Sequence, residues 1–220
     1  MRKFIVIAAA LLIGIQANAQ LIFNGGYLHA TENISQTTTV AGTSNTQTGT
    51  NLLDGFYAGA KYRINLDGIT DGLSLAPGAN VSFLFGKEAG IPDILDDART
   101  TEIALNIPLH FQYLFEITPD FKLEAWAGPT FQYGIYDRTI NGSDNPTLIY
   151  NLYKEISVLG VATSAPRNRI NLFLGLGLGF EVSELIHINV GYDFGLLNLS
   201  TDPNGKITRG LLRIGLGYNF

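Results

Sequence analysis

The ionisable residues of this 220-residue chain follow a repeating pattern rather than a recognisable catalytic motif. Lys61, Arg63, Glu102, Lys122, Glu124, Arg169, Glu181, Asp193, Arg209 and Arg213 lie in segments where apolar residues recur at every second position. Each stands out of phase with the apolar set, so they share one face. Exposed to water, such a face simply solvates. Enclosed, its charges must pair, because an isolated buried charge costs several kcal/mol. Enclosure therefore predicts a structural network of Arg/Lys–Glu/Asp pairs, with Asn and Gln filling the gaps. A narrow ion path is the alternative for the same residues.

Other candidate chemistry is thinner. His29, His110 and His187 are the three histidines. A hydrolytic centre needs a base beside a nucleophile and an orienting acid. His110 and His187 are in phase with the charged set and read as hydrogen-bonded filler. His29 has Glu32 and Ser35 nearby but no motif, so no catalytic residue is assigned and an enzyme is not expected. Asp93, Asp96 and Asp97 could gather around Ca²⁺. The D-x-[DN]-x-[DN]-G loop is missing, however, and a solvated acidic turn is the plainer reading, with no metal and no cofactor. The run from Leu174 to Gly179 alternates Leu with Gly, but no helix pattern or Lys-Ser pair follows, so it is not a nucleotide loop. The formal charge is −5; a mildly acidic chain is a poor nucleic-acid ligand.

The elements that must position these groups are strands, because a period of two is the strand signature. The last strand is the clearest: Leu212, Ile214, Leu216, Tyr218 and Phe220 alternate with Arg213, Gly215, Gly217 and Asn219. Segments starting near Phe56, Ser74, Glu102, Phe121, Arg169 and Ile186 repeat the pattern, which makes seven. An eighth, about Leu21 to Ala30, alternates weakly and its faces are not assignable. Connections alternate between short (67–72, 116–120, 183–185) and long (31–53, 87–101, 137–168, 197–206). The first long loop is rich in Thr, Ser, Asn, Gln and Gly and reads as a mobile segment or a hairpin extension. In the third, Leu148, Ile149, Leu152, Tyr153, Ile156 and Leu159 recur at helical spacing after Asn145-Pro146, which predicts a short helix. Pro77, Pro108 and Pro129 fall inside strands and predict bulges or locally open ladders, since proline cannot donate.

Two architectures could use a two-faced strand set. A soluble barrel would turn the charges outward; a membrane barrel would turn them inward. Charged residues are only 15%, and the charged face is rich in glycine (Gly175, Gly177, Gly179, Gly191, Gly215, Gly217), too little to solvate an exterior. Aromatics gather at strand ends of the apolar face, as interface girdles do. The fold class expected is all-β: an eight-stranded antiparallel transmembrane up-and-down barrel. Arg2 and Lys3, the apolar stretch from Phe4 to Ile15, and Ala17-Asn18-Ala19 read as a cleaved signal peptide over residues 1–19. The barrel domain is then 20–220, and losing two of 14 basic residues against 19 acids leaves −7. The chain has no cysteine, so neither a lipid-anchored N-terminus nor disulfides are expected.

Signal peptide, strand count, loop asymmetry and the Leu216-x-Tyr218-x-Phe220 ending together resemble the bacterial outer-membrane barrels of the OmpA/OmpX-like and PorT-like type. The resemblance implies outer-membrane residence among lipid and lipopolysaccharide. It implies a plugged lumen, and Tyr218 and Phe220 as part of the signal read by the barrel-assembly machinery. It also implies a structural or surface-interaction role, with a surface or secretion partner engaged through four long outer loops. A lipid-modifying enzyme and a narrow pore are the alternatives within the class.

Overall fold

The computed structural model describes residues 19–87, 99–141, 148–158, 161–163 and 165–220. All but Ala19 of the signal peptide expected over residues 1–19, and the Asp93, Asp96 and Asp97 cluster, lie outside the described residues. Eight long strands form a closed antiparallel ring. They are β1 (Ala19–Val40), β2 (Thr43–Asn65), β3 (Leu73–Lys87), β4 (Arg99–Thr118), β5 (Phe121–Asn141), β9 (Ile170–Val182), β10 (Ile186–Gly195) and β11 (Gly205–Asn219). The ring order is β4-β3-β2-β1-β11-β10-β9-β5, and β4 pairs with β5 to close it. The seam between first and last strands is continuous, from Ile22 opposite Asn219 to Gln36 opposite Gly205. The Phe220 N–H adds a bond to the Leu21 carbonyl at 3.0 Å.

The pleat turns the apolar face outward. On β9, Leu174, Leu176 and Leu178 are 52%, 57% and 56% exposed, whereas Arg63 and Glu102 on the other face of the wall are 1% exposed. A water-soluble barrel would show the reverse, so the exterior is a hydrocarbon-facing belt and the interior is polar. β1 explains its own weak alternation. Its inward side carries Ile22, Leu28 and Ala30, all buried, while Phe23 and Tyr27 face out. With apolar residues on both faces, periodicity alone has nothing to separate.

The three prolines open the ladder as expected. The paired registers of β2–β3, β3–β4 and β4–β5 each skip two residues, opposite Pro77, Pro108 and Pro129 respectively, and resume unshifted. The first long loop is a hairpin extension: β1 and β2 stay paired up to Val40 opposite Thr43. Ala41 (φ 50°) and Gly42 (φ 81°) form its two-residue tip, and two consecutive positive φ angles suit the right-handed twist of a tight hairpin.

Among the described residues, the third loop forms strands where a helix was expected. Leu148–Asn151 is a strand, β6, paired with the upper end of β5, and Ile156–Val158 is a strand, β7, paired with β8 (Val161–Thr163). The unpaired upper edge of β5 offered backbone hydrogen bonds. That tertiary option outweighed a helical spacing that few residues carried.

Candidate functional site: the lumen network and the outer rim

Inside the ring the ionic groups form layers. The outermost centres on Arg209, which donates from Nε to Glu32 at 2.9 Å and from Nη1 to Glu102 at 2.7 Å, with Nη2 shared between the two carboxylates. Arg167 adds a bond to Glu32 at 2.9 Å and ion pairs to Asp137 at 3.1 Å and Glu102 at 3.5 Å. All five groups are at most 4% exposed. Below them, Arg213 binds Asp193 and lies over the Tyr57 ring, 5.8 Å from its centre. Asn106 ties this zone together by donating to Asn80 and Ser82 and accepting from Gln132.

The innermost layer is held by Arg63, which donates to Glu181 at 2.5 Å, to Gln20 at 3.2 Å and to Glu124 at 3.3 Å. Lys61 lies 3.6 Å from Glu124, and His187 sits between Glu124 and Glu181 at 3.4 and 3.2 Å. Lys122 stands at the rim, with Glu184 at 2.6 Å and Glu181 at 3.8 Å. There, in the turn outside the belt, the Lys122 hydrogen bond and charge hold the Glu184 carboxyl below its ordinary range.

Between the layers, Trp126 stacks on His110 with ring centres 4.4 Å apart, and His110 bonds Thr130 at 3.1 Å. This indole needs the glycines around it. A Cβ at Gly191 would lie 2.1 Å from the ring and one at Gly177 2.5 Å. The glycine enrichment of the inner face is thus a packing requirement, leaving room for one large aromatic in a lumen barely wider than its side chains.

Nine of the ten residues chosen from sequence enter these layers. Arg169 does not. It lies at the outer end of β9, donates to the carbonyls of Gly134 and Tyr153 at 3.2 and 2.9 Å, and stacks over the Tyr153 ring at 5.1 Å. It pins the third loop rather than pairing with an acid, because β9 begins only at Ile170 and the side chain emerges above the ionic layer. Three residues that periodicity missed complete the network: Glu32, Asp137 and Arg167. Glu32 keeps the inward parity of Leu28 and Ala30 and became legible once β1 was seen to continue. Asp137 turns inward because of a bulge. Ile103 pairs with Tyr136 but Ala104 pairs with Gly134, so Ile135 is extra and the strand changes phase. Arg167 arrives from the third loop and carries no pattern. With these changes the lumen holds, among the described residues, Lys61, Arg63, Lys122, Arg167, Arg209 and Arg213 against Glu32, Glu102, Glu124, Asp137, Glu181 and Asp193. The imbalance of six bases to four acids becomes six to six.

Two features lie on the outside. Phe220 packs edge-on against Phe23 at 5.3 Å and against Tyr218 at 4.9 Å, an aromatic cluster at the inner end of the seam. Toward the outer end, His29 faces outward. Its Nδ1 is 2.8 Å from the Asp54 carboxylate, which also accepts the Tyr27 hydroxyl. Among the described residues, His29 has a side-chain hydrogen bond to Asp54 and none to a serine or threonine.

A closed ring of eight antiparallel strands, apolar outside and ionic inside, defines a transmembrane β-barrel of the bacterial outer membrane. The chain belongs to the outer membrane protein beta-barrel domain family, whose model matches residues 5–220. No curated protein matches its sequence significantly. Among solved structures it is similar to the attachment invasion locus protein Ail of Yersinia pestis, in complex with the heparin analogue sucrose octasulfate. That likeness has 15% identity and TM-score 0.45, covering 92% of this chain and 99% of Ail. It is also similar to Neisserial surface protein A (16%, TM-score 0.39, 90% and 97% covered) and to the outer membrane enzyme PagL (13%, TM-score 0.38, 87% and 98% covered).

Proposed function

We propose that the protein is a sealed outer-membrane barrel that works as a surface-interaction scaffold through its outer loops. The observation that carries this reading is the contrast between a filled lumen and a built-out β1–β2 hairpin. Beyond Asp54 and His29 the two strands continue paired for about ten residues each. At about 3.3 Å per residue that is a projection of some 30 Å, less the strand tilt. Its surface is Thr, Ser, Asn and Gln with cross-strand bonds such as Thr37–Thr46 at 3.0 Å and Thr39–Ser44 at 2.9 Å. A pre-ordered polar ribbon of this kind can bind a partner by backbone or hydroxyl contacts with little ordering cost.

The hairpin is tested by replacing residues 37–46 with a two-residue Asn-Gly turn. The shortened barrel should still migrate differently on a detergent gel before and after boiling. It should lose at least tenfold in yield whichever surface or secretion partner the full-length barrel captures by crosslinking on intact cells. Equal capture by both proteins contradicts the assignment to this hairpin.

A further inference from the structure

The outward face of β2 is apolar from Tyr62 up to Phe56, and then carries Asp54, with Leu52 (53% exposed) just above it. A carboxylate among lipid-facing apolar side chains is unfavourable, and such residues mark functional sites by default. Asp54 is held there by partners from β1, opposite it in the ladder. One oxygen, Oδ1, accepts both Tyr27 and His29, which leaves Oδ2 and His29 Nε2 open to the outside; their side chains are half and one-third exposed. Beside Asp54 lies Phe85, its partner in the ladder, and one rung below lie Tyr27, Phe56 and Phe83, with Phe56 and Phe83 stacked at 5.2 Å. Above lies a shallow groove on the same outward face of β11, β1 and β2, lined by Asn33, Ser35, Thr48, Thr50, Lys206 and Thr208. The registers stack these regions: His29 opposes Asp54, Asn33 opposes Thr50 and Thr208, and Ser35 opposes Thr48 and Lys206; on the rung between, Thr31 keeps the β1 row polar, with Leu52 and Gly210 beside it.

We infer that this strip is a binding site for a phosphorylated glycolipid of the outer leaflet, of the lipopolysaccharide class. Its acyl chains lie on the Phe56–Phe83–Phe85 surface. Its sugar hydroxyls meet Asp54 Oδ2, Asn33 and the threonine hydroxyls, and a phosphate is matched by Lys206. Length selects this occupant. From His29 to Ser35 the polar strip runs about 20 Å along the strand, room for several sugar rings and more than a glycerophospholipid headgroup fills. The inference rests on the outward orientation of the long hairpins, and not on any protein partner of the hairpin tip.

The test uses the folded full-length barrel in detergent. Deep-rough lipopolysaccharide is added in one arm and a phosphatidylethanolamine–phosphatidylglycerol mixture in the other, and bound lipid is read by native mass spectrometry. The expected result is glycolipid retained at about one per barrel and not displaced by the phospholipids. Retention falls at least tenfold in the double variant H29Q/D54N and severalfold in Lys206→Gln, while Leu178→Ala on β9 binds as wild type. Boiled and unboiled gel bands check that each variant is folded. If Asp54 variants do not fold, Lys206→Gln decides alone. Undiminished retention in folded variants, or displacement by the phospholipid mixture, overturns the inference. Because the hairpin tip is intact in every arm, failure here leaves the partner-binding reading standing.

Discussion

Replacing Arg209 with leucine is expected to cost about 3–5 kcal/mol, the cost of removing one partner from a buried ionic cluster. Set against typical total stabilities of about 5–15 kcal/mol, that is enough to lower the urea midpoint of the folded band sharply. The size follows from what is left behind. Arg209 is hydrogen-bonded to both Glu32 and Glu102, each 1% exposed. Without it, Arg167 alone among the described bases faces three carboxylates (Glu32, Glu102 and Asp137). The triple variant Arg209→Leu, Glu32→Gln, Glu102→Gln removes the stranded charges and should recover most of the loss. A single variant as stable as wild type, or a triple variant no better than the single, contradicts the pairing described.

The second large effect lies on the opposite face of the wall. Leu176→Arg places a cation at the centre of the β9 outer row, with three apolar residues on either side from Ile170 to Val182. A charge at mid-bilayer costs about 2–4 kcal/mol and one near the interface about 0–1. Leu176→Arg should therefore lose the folded, heat-shifted band after refolding into vesicles. Thr46→Arg, exposed on the hairpin above the belt, should keep it. Equal tolerance of both removes the orientation. Ser82→Arg, the milder contrast that strand parity alone suggests, is a poor control. Ser82 is 3% exposed and bonded to Asn106 at 2.9 Å, so an arginine there would add both volume and unpaired charge to a filled lumen.

The eight strands and the two faces were legible because burial in a membrane barrel is written at every second residue, and Leu174, Leu176 and Leu178 write it plainly. What was not legible had specific causes. Parity fails across a bulge, so Ile135 hid the inward turn of Asp137. It fails where both faces are apolar, which concealed the orientation of β1 and left the outward aim of His29 open. It says nothing of residues that enter from loops, which is how Arg167 reaches the lumen. The six-to-four imbalance was a clue to the two missing acids, Glu32 and Asp137, since an enclosed face must approach neutrality; it gave no sign of Arg167 or of the aim of His29. The β6 strand shows the remaining gap: an open sheet edge recruits whatever segment lies near it, and helical spacing in Leu148–Leu159 carries no knowledge of that edge.

The proposed sealing rests on three ionic layers, the outermost of which includes Arg167 from the third loop, and it assigns the work of the protein to its outer surface. Single-channel recording of the refolded barrel in a planar bilayer tests it most directly. The ionic layers predict a silent trace for wild type at 1 M KCl across the usual voltage range, in samples whose gel shift shows them folded. Stable, reproducible conductance steps from the folded wild-type barrel would contradict the sealed lumen and return the charged layers to the role of an ion path.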